Sequence, residues 1–437
     1  MYLLYSALLL LGLLVTLPYW VLQMGRHGKY RAGLAERLGK VPARIGNCRQ
    51  PVIWIHAVSV GEVLAISGLA AELAVRFPQH RIVVSTTTDT GQKLARKHFG
   101  EENVFYFPLD FAFAIRPYLV KLRPELVVIA ETEFWPNFLR LAGASGARIA
   151  VVNARISDHS VAGYKRVRRW LARVLENVDL FLAQTDEDRR RLIEIGAPGE
   201  RVEVMGNLKF DMAPPLPPPI VESLRSAFEQ AGAAPVLVCG STVEDEEPIL
   251  LRAFENVLAS RPRAVMILAP RHPERFEEVI GLLKKIGMRF WRRSLWSGEP
   301  IAGGVFLVDS IGELAAIYSL GTIAFVGGSL VSHGGHNIIE PARYGVPIVV
   351  GTHTENFRDI VDLFRSRNAV NVVGPAELPL VFMELITNEQ ERVTLGRRGA
   401  ETLRAQTGAT QRTMVALERL VSPNLMACAP NTGGGLS

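Results

Sequence analysis

Phe325-Val-Gly-Gly-Ser-Leu-Val-Ser-His-Gly-Gly-His-Asn-Ile-Ile-Glu-Pro-Ala-Arg-Tyr-Gly-Val-Pro-Ile-Val-Val350 is the stretch whose reading decides the fold. The apolar run 322–326 suits a parallel strand, because such strands are covered on both faces and need no polar alternation. Gly327 and Gly328, then Gly334 and Gly335, let the backbone turn sharply and approach a ligand where a side chain would clash. Residues 337–344 can then form a helix whose free amides and dipole favour an anion such as a phosphate. On that helix Asn337 and Glu340 stand three apart on one face, so an amide and a carboxylate can meet the hydroxyls of a sugar or ribose. Gly345-Val-Pro returns the chain to a second buried strand. The sequence strand, glycine loop, helix, strand reads as a nucleotide-sugar pocket.

The same rhythm extends outward. Apolar runs at 236–239, 264–268 and 305–308 precede the pocket, and runs at 52–56, 81–85, 126–130, 147–152 and 180–183 lie further upstream, each followed by a helical stretch. This alternation specifies parallel sheets in an α/β fold. At 437 residues the chain exceeds the roughly 250 to 300 at which single cores stop growing, so two domains are expected. Asp211-Met-Ala-Pro-Pro-Leu-Pro-Pro-Pro219 marks the boundary, since clustered prolines favour an extended spacer. The expected layout is a first doubly wound domain over 50–210, a linker over 211–219, a second domain over 220–422 and a Gly-rich, disordered tail over 423–437. No G-x-G-x-x-G follows the first strand of either half, so the dinucleotide fingerprint is missing.

Three places at strand ends can carry chemistry. Val58-Ser-Val-Gly-Glu62 puts Glu62 at a helix start beyond the first strand, where it can act as a general base or simply cap the helix. Glu131-Thr-Glu133 follows the 126–130 strand on the same sheet edge, so Glu131 and Glu133 converge with Glu62, again with helix capping as the structural alternative. Paired carboxylates suit sugar transfer, one deprotonating the accepting hydroxyl and another binding or positioning. In the second half, Gly240-Ser241-Thr242 gives a hydroxyl-rich turn, and Arg271 beside His272 forms a basic loop in which Arg271 can grip a phosphate with two parallel hydrogen bonds. His272 reads as a loop hydrogen-bonder. His333 and His336 lack further ligands at zinc spacing, and no metal is expected.

Residues 1–24 contain no Asp, Glu, Lys or Arg, and 2–22 have about the length to cross a bilayer. This predicts an N-terminal membrane anchor rather than a cleaved signal, which would carry a basic start. Pro18 leaves a monotopic or buried helix as the other reading. Arg26, Lys29, Arg31, Arg37, Lys40, Arg44 and Arg49 follow against only Glu36, which by the positive-inside rule predicts a body on the cytoplasmic side of the membrane, held by a single pass. The net charge of +6 gathers there and in Lys165-Arg-Val-Arg-Arg169 with few interleaved aromatics. Anionic lipid headgroups or a phosphorylated lipid substrate fit this better than nucleic acid. Cys48, Cys239 and Cys428 stand too far apart in sequence to suggest a disulfide framework or a zinc cluster.

His56-Ala-Val-Ser-Val-Gly-Glu62, Glu131-Thr-Glu-Phe-Trp-Pro136, Asn153-Ala-Arg-Ile-Ser157, Gly206-Asn-Leu-Lys-Phe-Asp211, Pro270-Arg-His-Pro-Glu-Arg275 and Gly334-Gly-His-Asn-Ile-Ile-Glu-Pro341 together resemble the 3-deoxy-D-manno-octulosonic acid (Kdo) transferases of lipopolysaccharide and lipid A assembly. The likeness runs from the anchor to about residue 420. It implies a GT-B glycosyltransferase, two Rossmann-like domains facing a crevice, with CMP-Kdo held mainly by the second and lipid IVA reaching the first from the membrane. Transfer would be inverting and metal-independent, with no cofactor. Glu62 would be the base, one of Glu131 and Glu133 would support it, Arg271 would contact the CMP phosphate, and Asn337 with Glu340 would hold the nucleotide. The competing readings are another two-Rossmann glycosyltransferase or UDP-sugar epimerase of envelope synthesis, and a membrane-tethered nucleotide-sugar-binding protein without turnover.

Overall fold

The computed structural model describes residues 1–27, 32–46, 50–212 and 217–421. They form two compact units, one of the described residues up to 212 together with 407–421, the other of residues 217–406.

In the first unit, β1 Val52–His56, β2 Arg81–Thr86, β3 Val104–Tyr106, β4 Pro124–Ala130, β5 Arg148–Ala154, β6 Leu180–Ala183 and β7 Val202–Val204 lie in the order β3-β2-β1-β4-β5-β6-β7, every neighbouring pair parallel. Successive side chains leave a strand on opposite faces. Trp54 of β1 therefore joins Phe105, Tyr118 and Phe138 on one side, while Ile53 and Ile55 join Leu69 and Val128 on the other. The order reverses between β1 and β4, where Ile55 pairs with Val128, so the loops leaving these two strands flank the point at which open α/β sheets bind ligands.

The second unit repeats the plan with β8 Val236–Thr242, β9 Val265–Pro270, β10 Phe290–Arg292, β11 Gly304–Leu307, β12 Ile323–Val326, β13 Ile348–Val350 and β14 Asn371–Val372, ordered β10-β11-β9-β8-β12-β13-β14. Here the reversal falls between β8 and β12, registered by Cys239 opposite Phe325. Cys239 is buried, and the expectations for Cys48 and Cys428 fall outside the described residues.

Three expectations need correction. The second unit ends at Gln406 rather than at 422, because the helix Ala409–Val421 returns to the first. Its Ala409, Met414, Ala416 and Leu417 pack with Ile55 and Leu69, and Asp211 fixes its start by accepting from the amides of Gly408 at 2.7 Å and Thr410 at 2.5 Å. Residues 213–216 of the expected linker and the expected tail 423–437 lie outside the described residues.

The N-terminal stretch does form a helix, Tyr2–His27, with Pro18 inside it. Among the described residues, however, no helix is long and apolar enough to cross a membrane, so the single-pass anchor is not found as a span. The start of this helix is instead tied to the first unit by polar groups. Arg140 stacks over the Tyr2 ring at 4.7 Å, Tyr5 bonds Asp110, and Ser6 accepts from Asn137 at 3.0 Å. Leu3, Leu4, Leu8, Leu11 and Val15 remain exposed. The basic stretch after it is also partly committed to the fold. Arg37 donates to the Thr87 carbonyl at 2.5 Å and stacks over Tyr106, and Arg44 pairs with Glu36 at 2.6 Å.

The third correction concerns the helix expected over 337–344, which covers only Ile339–Arg343. Asn337 stands before it, its Oδ1 accepting from the Ile339 amide at 3.1 Å, and so starts the turn from outside.

Candidate active site

At the first sheet's reversal, Ser59 caps the helix Val60–Arg76. Glu62, in that helix's first turn, reaches back so that Oε2 accepts from the Val58 amide at 2.8 Å and Oε1 from the Ser59 hydroxyl at 2.8 Å. The capping reading of Glu62 is thus realised, with its carboxylate held at the helix start beside the sheet reversal. The residue is only 8% exposed. Burial, aided by the negative charges of Glu131 and Glu133 and opposed by the Val58 and Ser59 hydrogen bonds, lifts its carboxyl to about 7. A carboxylate of that pKa exchanges protons readily near neutral pH.

Glu131, directly after β4, sits in the left-handed region at φ 57° with its amide bonded to the Val152 carbonyl at 2.9 Å. Its carboxylate meets Lys209 Nζ at 3.2 Å. Glu133 is raised, first by burial and then by Glu131. The three predicted carboxylates therefore share one electrostatic neighbourhood, with a lysine added. Lys209 arrives there through Asn153, another left-handed residue (φ 54°) at the end of β5, whose Oδ1 accepts from the Leu208 amide at 3.0 Å and starts the turn Leu208–Asp211. Residue-type reasoning gave Lys209 no role. Its signal was its place in Gly206-Asn-Leu-Lys-Phe-Asp211.

His56, buried in β1, is stacked on Phe107 with ring centres 3.9 Å apart, and its Nδ1 lies 3.0 Å from Ser85 Oγ. Burial lowers it to about 3, so it is neutral at physiological pH and ties β1 to Ser85 of β2.

At the second reversal, Ser241 adopts φ 55° at the end of β8, and Gly327, after β12, donates to the Gly240 carbonyl at 2.8 Å. A Cβ on Gly327 would stand 2.6 Å from the Ser241 carbonyl oxygen, so glycine is required there. Gly335 (φ 75°) donates to the Gly328 carbonyl at 2.7 Å, and Gly334 (φ 84°) accepts from the Asn356 amide at 2.8 Å. Asn337 Nδ2 donates to Glu340 Oε1 at 3.3 Å, so the predicted amide and carboxylate do meet. Burial raises Glu340, against the opposing pull of Asn337, Arg271 and Arg343. His336 is lowered to about 4 by burial and then by the positive fields of Arg271, His272 and His333. These groups therefore lie within electrostatic reach of one another. Arg271 and His272 are themselves exposed, and the Arg271 amide holds the Thr242 carbonyl at 2.8 Å.

The glycine loop differs from its expected chemistry in one respect. The amides of Gly328, Ser329 and Leu330, the natural phosphate donors of such a turn, are already bonded to the buried carboxylate of Glu246 at 2.7, 2.8 and 2.8 Å. They are not free to receive a phosphate, which leaves Arg271 as the cationic group predicted for that task. Glu247 beside it is consumed likewise, by Thr242 Oγ1 at 3.0 Å and Arg275 at 2.9 Å.

Residues 32–212 match the family described as 3-Deoxy-D-manno-octulosonic-acid transferase (kdotransferase). A 3-deoxy-D-manno-octulosonic acid transferase of Haemophilus influenzae is 34% identical over 428 residues, covering 96% of this chain and 99% of that one. The chain belongs to the Kdo transferase family. A further Kdo transferase, from Bordetella pertussis, is 34% identical over 427 residues, with 94% of this chain and 97% of that one covered. Among solved structures, the UDP-GlcNAc 2-epimerase of Neisseria meningitidis bound to UDP-GlcNAc aligns with a TM-score of 0.55 at 13% identity, covering 85% of this chain and all of that one. That likeness is one of fold, and it places this Kdo transferase among two-Rossmann, GT-B-like proteins. The chain is therefore a glycosyltransferase acting in lipopolysaccharide synthesis.

Proposed function

We propose that this Kdo transferase moves Kdo from CMP-Kdo to lipid IVA with inversion at the anomeric carbon and without a metal ion. The observation that carries the reading is Glu62. It is a nearly buried carboxyl raised to about 7 at the sheet reversal, flanked by Glu131 and Glu133. Glu62 takes the proton of the accepting hydroxyl as its oxygen bonds the anomeric carbon of Kdo. The bond from that carbon to the CMP phosphate breaks, and CMP leaves with the electron pair. Arg271 offsets the phosphate charge that grows on departure.

Glu131, held in place by Lys209, and to a lesser extent Glu133 add to burial the negative field that keeps Glu62 basic. In the second unit Ser241, Gly327, Gly328, Gly334, Gly335, Asn337 and Glu340 form the donor loops, and His272 lines them beside Arg271. The glycine turn contributes close backbone approach rather than amide donors, because Glu246 occupies those amides. The exposed leucines of the helix Tyr2–His27 support work at the cytoplasmic surface of the inner membrane, where anionic headgroups and the lipid acceptor are found.

The test is transfer by the purified detergent-solubilised chain from CMP-Kdo, generated in situ, to lipid IVA, with product mass resolved and UDP-sugars run in parallel. A mass gain of one or more Kdo units is expected. Turnover of a UDP-sugar without Kdo transfer would overturn the assignment of donor.

A further inference from the structure

Glu246 is fully buried, and its two carboxylate oxygens receive four backbone amides. Oε1 accepts from Ser329 and Leu330, each at 2.8 Å, and Oε2 accepts from Gly328 at 2.7 Å and Val243 at 3.1 Å. Three successive amides pointing into one turn make a nest that ordinarily takes an anionic ligand. In this protein the anion is a side chain from the loop after β8, so the turn after β12 is fixed whether or not a donor is bound.

The lock extends further. Ser329 Oγ donates to the Val326 carbonyl at 2.6 Å and accepts from the Gly351 amide at 2.8 Å, while the Ser329 carbonyl accepts from His353 at 2.9 Å. A Cβ on Gly351 would fall 2.0 Å from that carbonyl oxygen, so the loop after β13 closes directly on the turn. Through Gly328, whose carbonyl accepts from Gly335 at 2.7 Å, the same unit reaches the Asn337 segment.

We propose that Glu246 is a positioning residue for the sugar-nucleotide donor, an internal anion that fixes the loops after β8, β12 and β13 in their binding arrangement before the donor arrives. The proposal rests on the reading of these loops as the donor site. Pre-forming a site removes the ordering cost from binding, so its loss is felt in donor affinity before it is felt elsewhere.

Glu246→Gln is the discriminating variant. Its one amide oxygen can serve either the Ser329–Leu330 pair or the Gly328–Val243 pair, and its NH2 then confronts two N–H donors. We expect the donor KM to rise about tenfold, the scale of losing one or two charge-assisted hydrogen bonds. The kcat and the acceptor KM should stay within about threefold, and Glu246→Asp, which keeps the carboxylate, should recover most of the donor KM. A folded Glu246→Gln with unchanged donor KM overturns the proposal, and so does a fall in kcat with both KM values rising alike, which would mark a purely structural residue.

Should Glu246→Gln not fold, hydrogen exchange of the parent protein, followed on peptides spanning 325–332, decides instead. Slow exchange at the amides of residues 328–330 without ligand, unchanged by inorganic phosphate, is expected. Fast exchange, or protection that appears only with phosphate, would mean that the nest is open to an external anion. Failure of the parent to use CMP-Kdo would sink the function reading alone and leave the exchange result standing.

Discussion

Glu62 in the first unit and Glu246 in the second are both buried glutamates at strand ends beside a sheet reversal, yet only one is left available for chemistry. Glu246 receives four backbone amides and is sealed from solvent. Glu62 receives one amide and one hydroxyl, retains 8% exposure and faces two further carboxylates. A carboxylate saturated with donors is a structural tie. One desolvated with too few donors, among like charges, has its proton affinity pushed up and can serve as a base.

The contrast is broken or sharpened most strongly by Glu62→Ala. This variant should lose about 100-fold or more in turnover, the scale of general-base loss, while CMP binding by the second unit stays near the parent value by calorimetry. Arg271→Ala should do the converse. Its donor KM is expected to rise about tenfold or more while the acceptor KM holds, since a charge-assisted contact to a phosphate is removed.

Stability separates the two units in another way. The fold keeps Glu62 protonated up to about pH 7, whereas the unfolded chain ionises it near its ordinary value of 4.5. Stability from this group is thus present at low pH and is lost as pH rises from about 4.5 to about 7. Glu62→Gln, always neutral, should therefore gain on the parent at pH 8 relative to pH 4, by about 3 kcal/mol in denaturant titrations. An equal difference at both pH values would contradict the raised carboxyl.

The smallest effect is expected from Lys209→Met. Its pair with Glu131 is 26% and 29% exposed at the side chains, so global stability should fall by less than about 1 kcal/mol in the same titrations. A larger fall would mean that the lysine supports the fold of the acidic edge rather than only its charge balance.

Most of both sheets was legible because central parallel strands are buried on both faces and read as apolar runs. The four strands not picked out are β3, β7, β10 and β14, the edge strands of the two sheets, only two or three residues long. β10, Phe-Trp-Arg, and β14, Asn-Val, are merely half-buried, so neither length nor apolarity marked them. The return of Ala409–Val421 to the first unit was hidden for a different reason. An amphipathic helix announces its apolar face but not which core receives it.

At the sites, Glu62, Glu131 and Glu133 could be singled out from strand-end placement, because topology alone brings such positions together, whereas Asn337 and Glu340 were singled out from their three-residue spacing. Glu246 could not. Three of its four amide partners lie more than eighty positions away in sequence, and Asp245-Glu-Glu247 looks like an ordinary solvated helix start. The same blindness affected the glycine turn, whose pattern signals backbone freedom but not whether its amides are spoken for. The N-terminal helix illustrates the limit of hydropathy, because the Tyr2, Tyr5 and Ser6 contacts that tie it to the first unit do not appear in an average over its leucines.

The most direct test of the account is the pH dependence of kcat/KM for Kdo transfer in the parent and in Glu62→Ala. The parent should show an acid limb centred near pH 7, activity falling as Glu62 becomes protonated, and the residual rate of Glu62→Ala should lack that limb. An acid limb that persists unchanged in the variant would assign the titration to another group and remove Glu62 as the base.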